Sequence, residues 1–246
     1  MLIFTESLCF SQEMEESTNL WVFGYGSLVW KPGFQHGKIL VGKVNGFARR
    51  FWQGNETHRG TPGKPGRVAT LIEEAGADTH GVAMELTGDE ALDYLNNREM
   101  TLGGYTQKIT LFHTADLKHP PFPVLVFVAT AKSSFWLGPA SASEIAEQVL
   151  VSSGPSGHNV EYVLRLADWV HDTLPEIWDE HLFSIETQVR LLIKERGLCL
   201  ETLMGEKEEA ASSIPVDNHE HSPSTNRLGT FTFTCEQKCW KCVTRN

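Results

Sequence analysis

The sequence predicts an α+β fold, a mostly antiparallel and curled or closed sheet with helices on its outer side. Fifteen of the 21 glycines lie between Gly24 and Gly104, and glycine supplies the backbone conformations of the tight turns that join short strands. The helical patterns fall largely after this region instead of alternating with strands. This order disfavours a doubly wound parallel sheet.

Six segments have strand character, because β-branched and aromatic residues fill them and Gly, Pro or Asp bounds them. They are residues 20–23, 39–44, 67–73, 81–86, 105–113 and 124–131. We expect them to pair mainly antiparallel.

One helix is predicted among the strands, over residues 88–99, where Thr87 and Glu90 form a capping-box pattern. Three more helices are predicted after the last strand, over residues 141–153, 159–173 and 179–196. The first of these three also begins with a capping-box pattern, and the last ends at a glycine that suits a C-cap.

The chain divides into an N-terminal tail over residues 1–18, a folded domain over 19–196 and a C-terminal tail over 197–246. We expect both tails to be largely disordered, since residues 201–224 are rich in Glu, Ser, Ala and His and poor in large apolar side chains. The N-terminus has no Lys or Arg before its apolar residues, which makes a poor signal peptide and favours the cytoplasm.

Charge and hydropathy exclude two classes of partner. The net charge of −10 disfavours a nucleic-acid binder, which needs basic residues to neutralise phosphates. The longest apolar run, around residues 122–131, is too short to span a bilayer. We therefore expect neither a nucleic-acid nor a membrane partner, and the oligomeric state stays open.

The five cysteines give an odd number, which does not suit a complete disulfide framework. Cys235, Cys239 and Cys242 could hold zinc with a fourth ligand, but the surrounding sequence lacks a zinc-ribbon pattern. The expectation is a protein with no metal and no cofactor.

The first motif with chemical potential is Phe23-Gly24-Tyr25-Gly26-Ser27-Leu28, directly after a predicted strand. A turn of this kind presents consecutive backbone N–H groups with little side chain in the way, and such a nest binds carboxylates or oxyanions. The alternative is an ordinary β-turn. The motif lacks the spacing of a P-loop, a dinucleotide-binding loop or a nucleophile elbow.

The second motif is a carboxylate on an apolar helix face. At about 100° per residue, Glu99 lies between Leu92 and Leu95. Burial there would raise its pKa toward neutrality, which suits a general base. Alternatively, Glu99 is structural and pairs with Arg59 or Arg67.

The third motif is a basic run from Arg49 to Arg67 with two turns rich in Gly and Pro. It could bind an anionic small molecule. Alternatively, it is an ordered loop whose arginines bind carbonyls and carboxylates.

Together these motifs resemble the ChaC-type glutathione-specific γ-glutamylcyclotransferases. The resemblance follows chain order and covers roughly residues 20–195. It is carried by residues 23–30 (FGYGSLVW), 50–54 (RFWQG), 58–67 (HRGTPGKPGR), 94–99 (YLNNRE), 103–105 (GGY), 137–139 (LGP), 154–162 (GPSGHNVEY) and 179–182 (DEHL).

The resemblance implies a small mixed β-barrel with peripheral α-helices. It implies cleavage of reduced glutathione to 5-oxoproline and cysteinylglycine, with Glu99 as the catalytic base and acid and without a cofactor. It also implies that the residues of the turn and Tyr105 contact the substrate. Those substrate-binding residues are Phe23, Gly24, Tyr25, Gly26, Ser27, Leu28 and Tyr105.

Two departures and two alternatives accompany this prediction. Three residues separate Glu99 from Gly103, more than in some members of the family, and the C-terminal tail has no counterpart in the minimal family pattern. The alternatives are a cyclotransferase for a broader range of γ-glutamyl dipeptides or amines, and a non-catalytic module that binds γ-glutamyl groups or anions.

Overall fold

The computed structural model describes residues 20–88, 90–116 and 119–205. The predicted N-terminal tail, Cys235, Cys239, Cys242 and most of the predicted C-terminal tail lie outside the described residues. Within those ranges, no helix has the length and hydrophobicity that crossing a membrane requires.

Five strands form a closed barrel in the order β1-β3-β2-β4-β5. Neighbouring strands pair antiparallel, except that β1 and β5 close the barrel with a parallel contact at Val22 and Leu125. The expectation of a closed, mixed sheet is confirmed. The strands are β1 Trp21–Gly24, β2 His36–Asn55, β3 Gly66–Leu86, β4 Thr106–Thr114 and β5 Phe122–Val128.

The predicted strands 67–73 and 81–86 are one strand, β3, of 21 residues. Its pairing with β2 shifts register between the Asn45–Asp78 and Phe47–Glu73 pairs. Residues 74–77 lie opposite Gly46 there, an irregularity that interrupts the pairing without ending the strand. The prediction of two separate strands is therefore wrong, because the Gly and Asp residues between them lie within one strand.

The helix predicted over residues 88–99 is shorter and differently built. It contains α1, Ala91–Leu95, followed by a π-helical turn, Asn96–Thr101. Gly88 has a φ of 83°, so the chain turns there and the helix begins later. No side chain caps α1, so the predicted capping box of Thr87 and Glu90 is wrong.

The helices after the last barrel strand agree closely with the sequence. Ser141 and Glu144 make both bonds of the predicted capping box, and Gly197 has the φ of 62° that a C-cap needs. A small hairpin and a short fifth helix were not predicted. The elements are α2 Ala142–Val151, β6 Ser153–Gly154, β7 Gly157–His158, α3 Asn159–Thr173, α4 Glu180–Glu195 and α5 Leu200–Met204.

Two apolar clusters hold the barrel and the helices together. The larger one joins barrel residues such as Phe51 to the inner faces of α2, α3 and α4. The smaller one contains Leu95 of α1, which is fully buried, together with barrel residues such as Met84 and Leu125. The second cluster anchors the π-helical turn, and therefore Glu99, to the wall of the barrel.

Candidate active site

A cavity of about 320 Å³ opens beside the end of β1. Its volume lies at the lower end of the range for small-molecule sites. Its wall combines the segment after β1, the π-helical turn, the ends of β2 and β3 and the start of α3. Its lining residues include Tyr25, Gly26, Ser27, Leu28, Lys31, Gly33, Asn55, His58, Arg59, Ala69, Tyr94, Arg98, Glu99, Gly103, Tyr105, Phe127, Ser156 and Tyr162.

Glu99 is the single carboxylate among the described residues that line this cavity. Its side chain is 17% exposed and forms an ion pair with Arg98, with 3.0 Å between Nε and Oε1. Burial raises the pKa of Glu99, and the neighbouring Arg98 opposes that rise. A carboxylate with this environment can take a proton and later return it.

The prediction that Glu99 pairs with Arg59 or Arg67 is wrong, because Glu99 pairs with its sequence neighbour. Adjacent residues on an α-helix do not face each other. Here the helix is wider, since the N–H of Leu102 donates to Asn97 O, five residues earlier. Such π-helical turns are frequent at functional sites.

The turn after β1 is a short 3₁₀ helix, Ser27–Val29. Its first bonded donor is the N–H of Val29, which donates to Gly26 O. The N–H groups of Gly26, Ser27 and Leu28 precede that donor, and the first amides of a helix have no acceptor within it. All three residues line the cavity, so the turn that the sequence predicts as a nest forms part of its wall.

Gly26 is required by a close contact with α3. A Cβ at this position would lie 2.7 Å from Tyr162 Oη. Any side chain would therefore push the turn and Tyr162 apart. The nest and α3 are fitted to each other through this glycine.

Three buried tyrosines line the cavity near Glu99, and their hydroxyls are held by the backbone. Tyr105 Oη donates to Ala69 O at 2.8 Å, Tyr162 Oη accepts from Ala69 N at 3.1 Å, and Tyr25 Oη donates to Phe127 O. Burial raises the pKa of Tyr162 to about 12 and raises the pKa values of Tyr25 and Tyr105 well above their usual range. All three are neutral near pH 7 and cannot serve as the base.

Tyr105 reaches the cavity despite the longer link after Glu99. The π-helical turn takes up the additional residues, and the N–H of Tyr105 donates to Glu99 O at 3.0 Å. Gln53, which is fully buried, donates to Gly103 O at 2.6 Å and fixes the end of the link.

The structure brings most of the predicted site residues together. Glu99, Tyr105 and the four residues from Tyr25 to Leu28 line one cavity. Phe23 and Gly24 do not line it. Phe23 is buried in the larger core cluster, and Gly24 packs against Leu28 and Met84. These two residues shape the strand that leads into the turn.

Most of the basic run has a structural role, as the second interpretation predicts. Arg49 pairs with Asp179, Arg50 with Glu74, and Arg67 donates to Phe51 O and Gly138 O. These bonds brace the barrel and α4 instead of facing the cavity described above.

Arg59 and His58 are the part of the run that lines the cavity. Asn55 Oδ1 accepts hydrogen bonds from the N–H of His58 at 2.8 Å and from the N–H of Arg59 at 2.7 Å, and so fixes the backbone of both residues. Burial, with Arg98 and Arg59 nearby, lowers the pKa of His58, so its ring is neutral at pH 7. These two residues therefore bring one guanidinium and one neutral imidazole to the cavity wall.

Arg59 is only 5% exposed, and its side chain is held in place within the cavity wall. Its Nη1 donates to Glu161 Oε2 at 2.5 Å and to His158 O at 3.1 Å. All hydrogen bonds between this guanidinium and the described residues use Nη1. Glu161 also pairs with Arg165, so its charge is shared between two cations.

Arg59 is predicted from the sequence only as part of the basic run or as an ion-pair partner, and Arg98, Tyr162 and Asn55 have no predicted role. The first three lie within the quoted motifs, which was the available signal. Their convergence depends on contacts across 71 to 102 positions, such as Arg98 with Ser27 and Arg59 with Glu161. Within the described ranges, no group of three or more His, Cys, Asp or Glu side chains is placed to hold a metal ion.

The chain matches the ChaC-like protein family over residues 20–192. It is 48% identical over 180 residues to a protein of Danio rerio named glutathione-specific gamma-glutamylcyclotransferase 1, covering 72% of this chain and 92% of the relative. The human protein of the same name is 45% identical over 192 residues, covering 77% and 86%.

The fold is similar to a crystal structure of a yeast gamma-glutamyl cyclotransferase described as specific to glutathione. The TM-score is 0.63 with 29% identity, over 70% of this chain and 96% of the yeast chain.

Proposed function

Because this chain belongs to the ChaC-like protein family, we propose that it is a glutathione-specific γ-glutamylcyclotransferase. It cleaves glutathione to 5-oxoproline and cysteinylglycine. The observation that carries the proposal is Glu99, the cavity's one carboxylate among the described residues, lying with the nest of Gly26, Ser27 and Leu28 on the wall of the same cavity.

The reaction is an intramolecular amide exchange. The α-amine nitrogen of the γ-glutamyl group attacks its own γ-carbonyl carbon, a five-membered ring closes, and the amide bond to cysteine breaks. Holding the substrate folded for this attack can lower the barrier by about 7–11 kcal/mol. The attack uses a nucleophile within the substrate, so the scheme requires neither water nor a metal.

Glu99 moves the proton in both halves of the reaction. It takes a proton from the substrate's ammonium group, which frees the lone pair for attack. It then gives that proton to the departing amine of cysteinylglycine. The second proton that the attacking nitrogen loses on becoming the lactam N–H balances the protonation of the released amine to its ammonium form. The upward shift of the Glu99 pKa by burial suits both steps, because it makes the carboxylate a stronger base than a free glutamate while its protonated form can still give the proton back.

The nest binds negative charge at the γ-glutamyl end of the substrate. Its backbone N–H groups serve the developing oxyanion and the α-carboxylate, and preorganised donors of this kind stabilise the tetrahedral intermediate. Tyr25 and Tyr105, whose hydroxyls are bound to the backbone, line the same cavity.

Arg59 binds the glycine carboxylate at the other end. A guanidinium forms strong bonds with a carboxylate, and Arg59 uses only Nη1 for its bonds to the described residues. Recognition at both ends accounts for a preference for the tripeptide over shorter γ-glutamyl compounds. We infer a cytoplasmic location, where glutathione is held as the reduced thiol.

Product analysis tests the proposal. The purified chain is incubated with reduced glutathione in the presence of a metal chelator, with γ-glutamylalanine in parallel, and products are quantified by mass spectrometry. Equimolar 5-oxoproline and cysteinylglycine from glutathione alone are expected. Equal rates with γ-glutamylalanine would indicate the broader cyclotransferase. Binding of both compounds without 5-oxoproline would indicate a non-catalytic module.

A further inference from the structure

Arg98 joins the carboxylate of Glu99 to the segment that contains the nest. Its Nε contacts Glu99 Oε1 at 3.0 Å, and its Nη2 donates to Ser27 Oγ at 2.8 Å. Its Nη1 donates to Pro32 O at 2.8 Å and to Lys31 O at 3.2 Å. One side chain therefore binds both walls of the site through all three of its nitrogens.

The segment that contains Lys31 and Pro32, whose carbonyls accept from Arg98, packs closely around the guanidinium. Gly33, with a φ of 75°, follows the carbonyls that Arg98 binds. A Cβ at this position would lie 2.5 Å from Tyr94 Oη and 3.6 Å from Arg98 Nη1. The arginine is thus held in a fixed geometry by residues on either side of it.

We propose that Arg98 is a positioning residue, which fixes the carboxylate of Glu99 relative to the backbone donors of Gly26, Ser27 and Leu28. The inference rests on the proposed function, since it assigns Glu99 the role of base. The arrangement needs the planar, several-donor geometry of a guanidinium, which the single ammonium group of lysine does not reproduce.

The same contact has an electrostatic consequence for the pH profile. The groups around Glu99 are Arg98, the neutral tyrosines 25, 105 and 162, and the cavity residues Lys31, His58 and Arg59. Burial raises the pKa of Glu99, and Arg98 lowers it. A base works when deprotonated, so activity is present above this pKa and is lost as pH falls through it.

Two substitutions separate position from charge. Arg98→Gln removes the charge and most of the donors, whereas Arg98→Lys keeps the charge and removes the planar geometry. For both we expect kcat to fall about tenfold to hundredfold, the effect of displacing a catalytic group by a fraction of an ångström to 1 Å. KM should change little, because Arg98 is already bound to protein groups at all three nitrogens.

The pH dependence of kcat on its acid side, where activity falls as Glu99 is protonated, distinguishes the two variants. In Arg98→Gln it should move to higher pH, because the buried carboxyl has lost its counter-charge. In Arg98→Lys it should stay close to its original position. Arg196→Gln is the matched control, since Arg196 pairs with Glu147 on the surface at the end of α4 and should behave as the unmodified chain.

Each outcome decides the inference. Unchanged kcat in both variants, or a rise in KM alone, would overturn it. Thermal melting shows whether each variant folds, and if Arg98→Gln does not, Arg98→Lys decides by its kcat. An unmodified chain that forms no 5-oxoproline would refute the proposed function. If the unmodified chain is active and both Arg98 variants keep its kcat, only the positioning role of Arg98 is refuted.

Discussion

Gly26→Ala is expected to damage catalysis through one contact. The added Cβ would lie 2.7 Å from Tyr162 Oη, whereas ordinary contacts begin at 3.4 Å. The overlap is therefore about 0.7 Å (3.4 − 2.7). Tyr162 cannot easily retreat, because its hydroxyl binds Ala69 N and its ring packs against Trp30 and Phe51. The turn and its backbone donors should move instead.

The size of the effect follows from this displacement. A misplacement approaching 1 Å can cost about a hundredfold in rate, so kcat/KM should fall about tenfold to hundredfold. This fall corresponds to about 1.4–2.7 kcal/mol of lost transition-state stabilisation. The assay is the rate of 5-oxoproline formation from reduced glutathione, measured by mass spectrometry.

Tyr162→Phe supplies the matched control, because it removes the atom that the new methyl group meets. The ring carbon Cζ would remain at 3.8 Å, an ordinary contact distance. Gly26→Ala in the Tyr162→Phe background should therefore cost much less than Gly26→Ala alone. The reasoning is refuted if Gly26→Ala is fully active, or if its cost is the same in both backgrounds.

Three further predictions test other parts of the structure. Arg59→Lys should raise the KM for glutathione about tenfold, which corresponds to a loss of about 1.4 kcal/mol from one charged contact. The same substitution should change the KM little for a glutathione analogue amidated at the glycine. Equal effects on both compounds would refute the assignment of Arg59 to the glycine carboxylate. Ser141→Ala removes the capping bond to Glu144 N and should lower the free energy of unfolding by about 0.5–2 kcal/mol in denaturant titrations, whereas no change would show that the cap is not stabilising. Ending the chain after Gly205 should leave kcat/KM unchanged, because the family match ends at residue 192. Loss of activity in a truncated chain that still folds would contradict this prediction and assign a role to the C-terminal segment.

The parts of the fold that the sequence predicts well are those with local causes. Ser141 and Glu144 act within one turn of helix, and α2 begins where they predict. The predicted capping box of Thr87 and Glu90 does not form, because a second local preference, that of Gly88, opposes it. The backbone of Gly88 takes a positive φ, and the helix cannot include it.

The active site shows the same distinction. The placement of Glu99 on an apolar face is visible from the spacing of Leu92 and Leu95, and the structure leaves only 17% of its side chain exposed. Its partner was not predictable, because a regular α-helix turns residues 98 and 99 away from each other. In the structure both residues lie in a π-helical turn that begins directly after the buried Leu95.

The contributions of Tyr162 and Arg59 depend on long-range contacts. Each reaches the cavity because α3 lies against the ends of β2 and β3, with Tyr162 at Ala69 and Glu161 at Arg59. No local pattern encodes that packing. The motifs identify such residues as noteworthy, and the tertiary structure supplies their roles.

Glu99→Gln tests the central claim most directly, because it removes the base while keeping the shape of the side chain. Two quantities are measured on the folded variant, 5-oxoproline formation by mass spectrometry and glutathione binding by calorimetry. We predict that turnover falls by about 10²–10⁴-fold, the usual contribution of a general acid–base group, while glutathione still binds. A variant that forms 5-oxoproline at the rate of the unmodified chain would contradict the account.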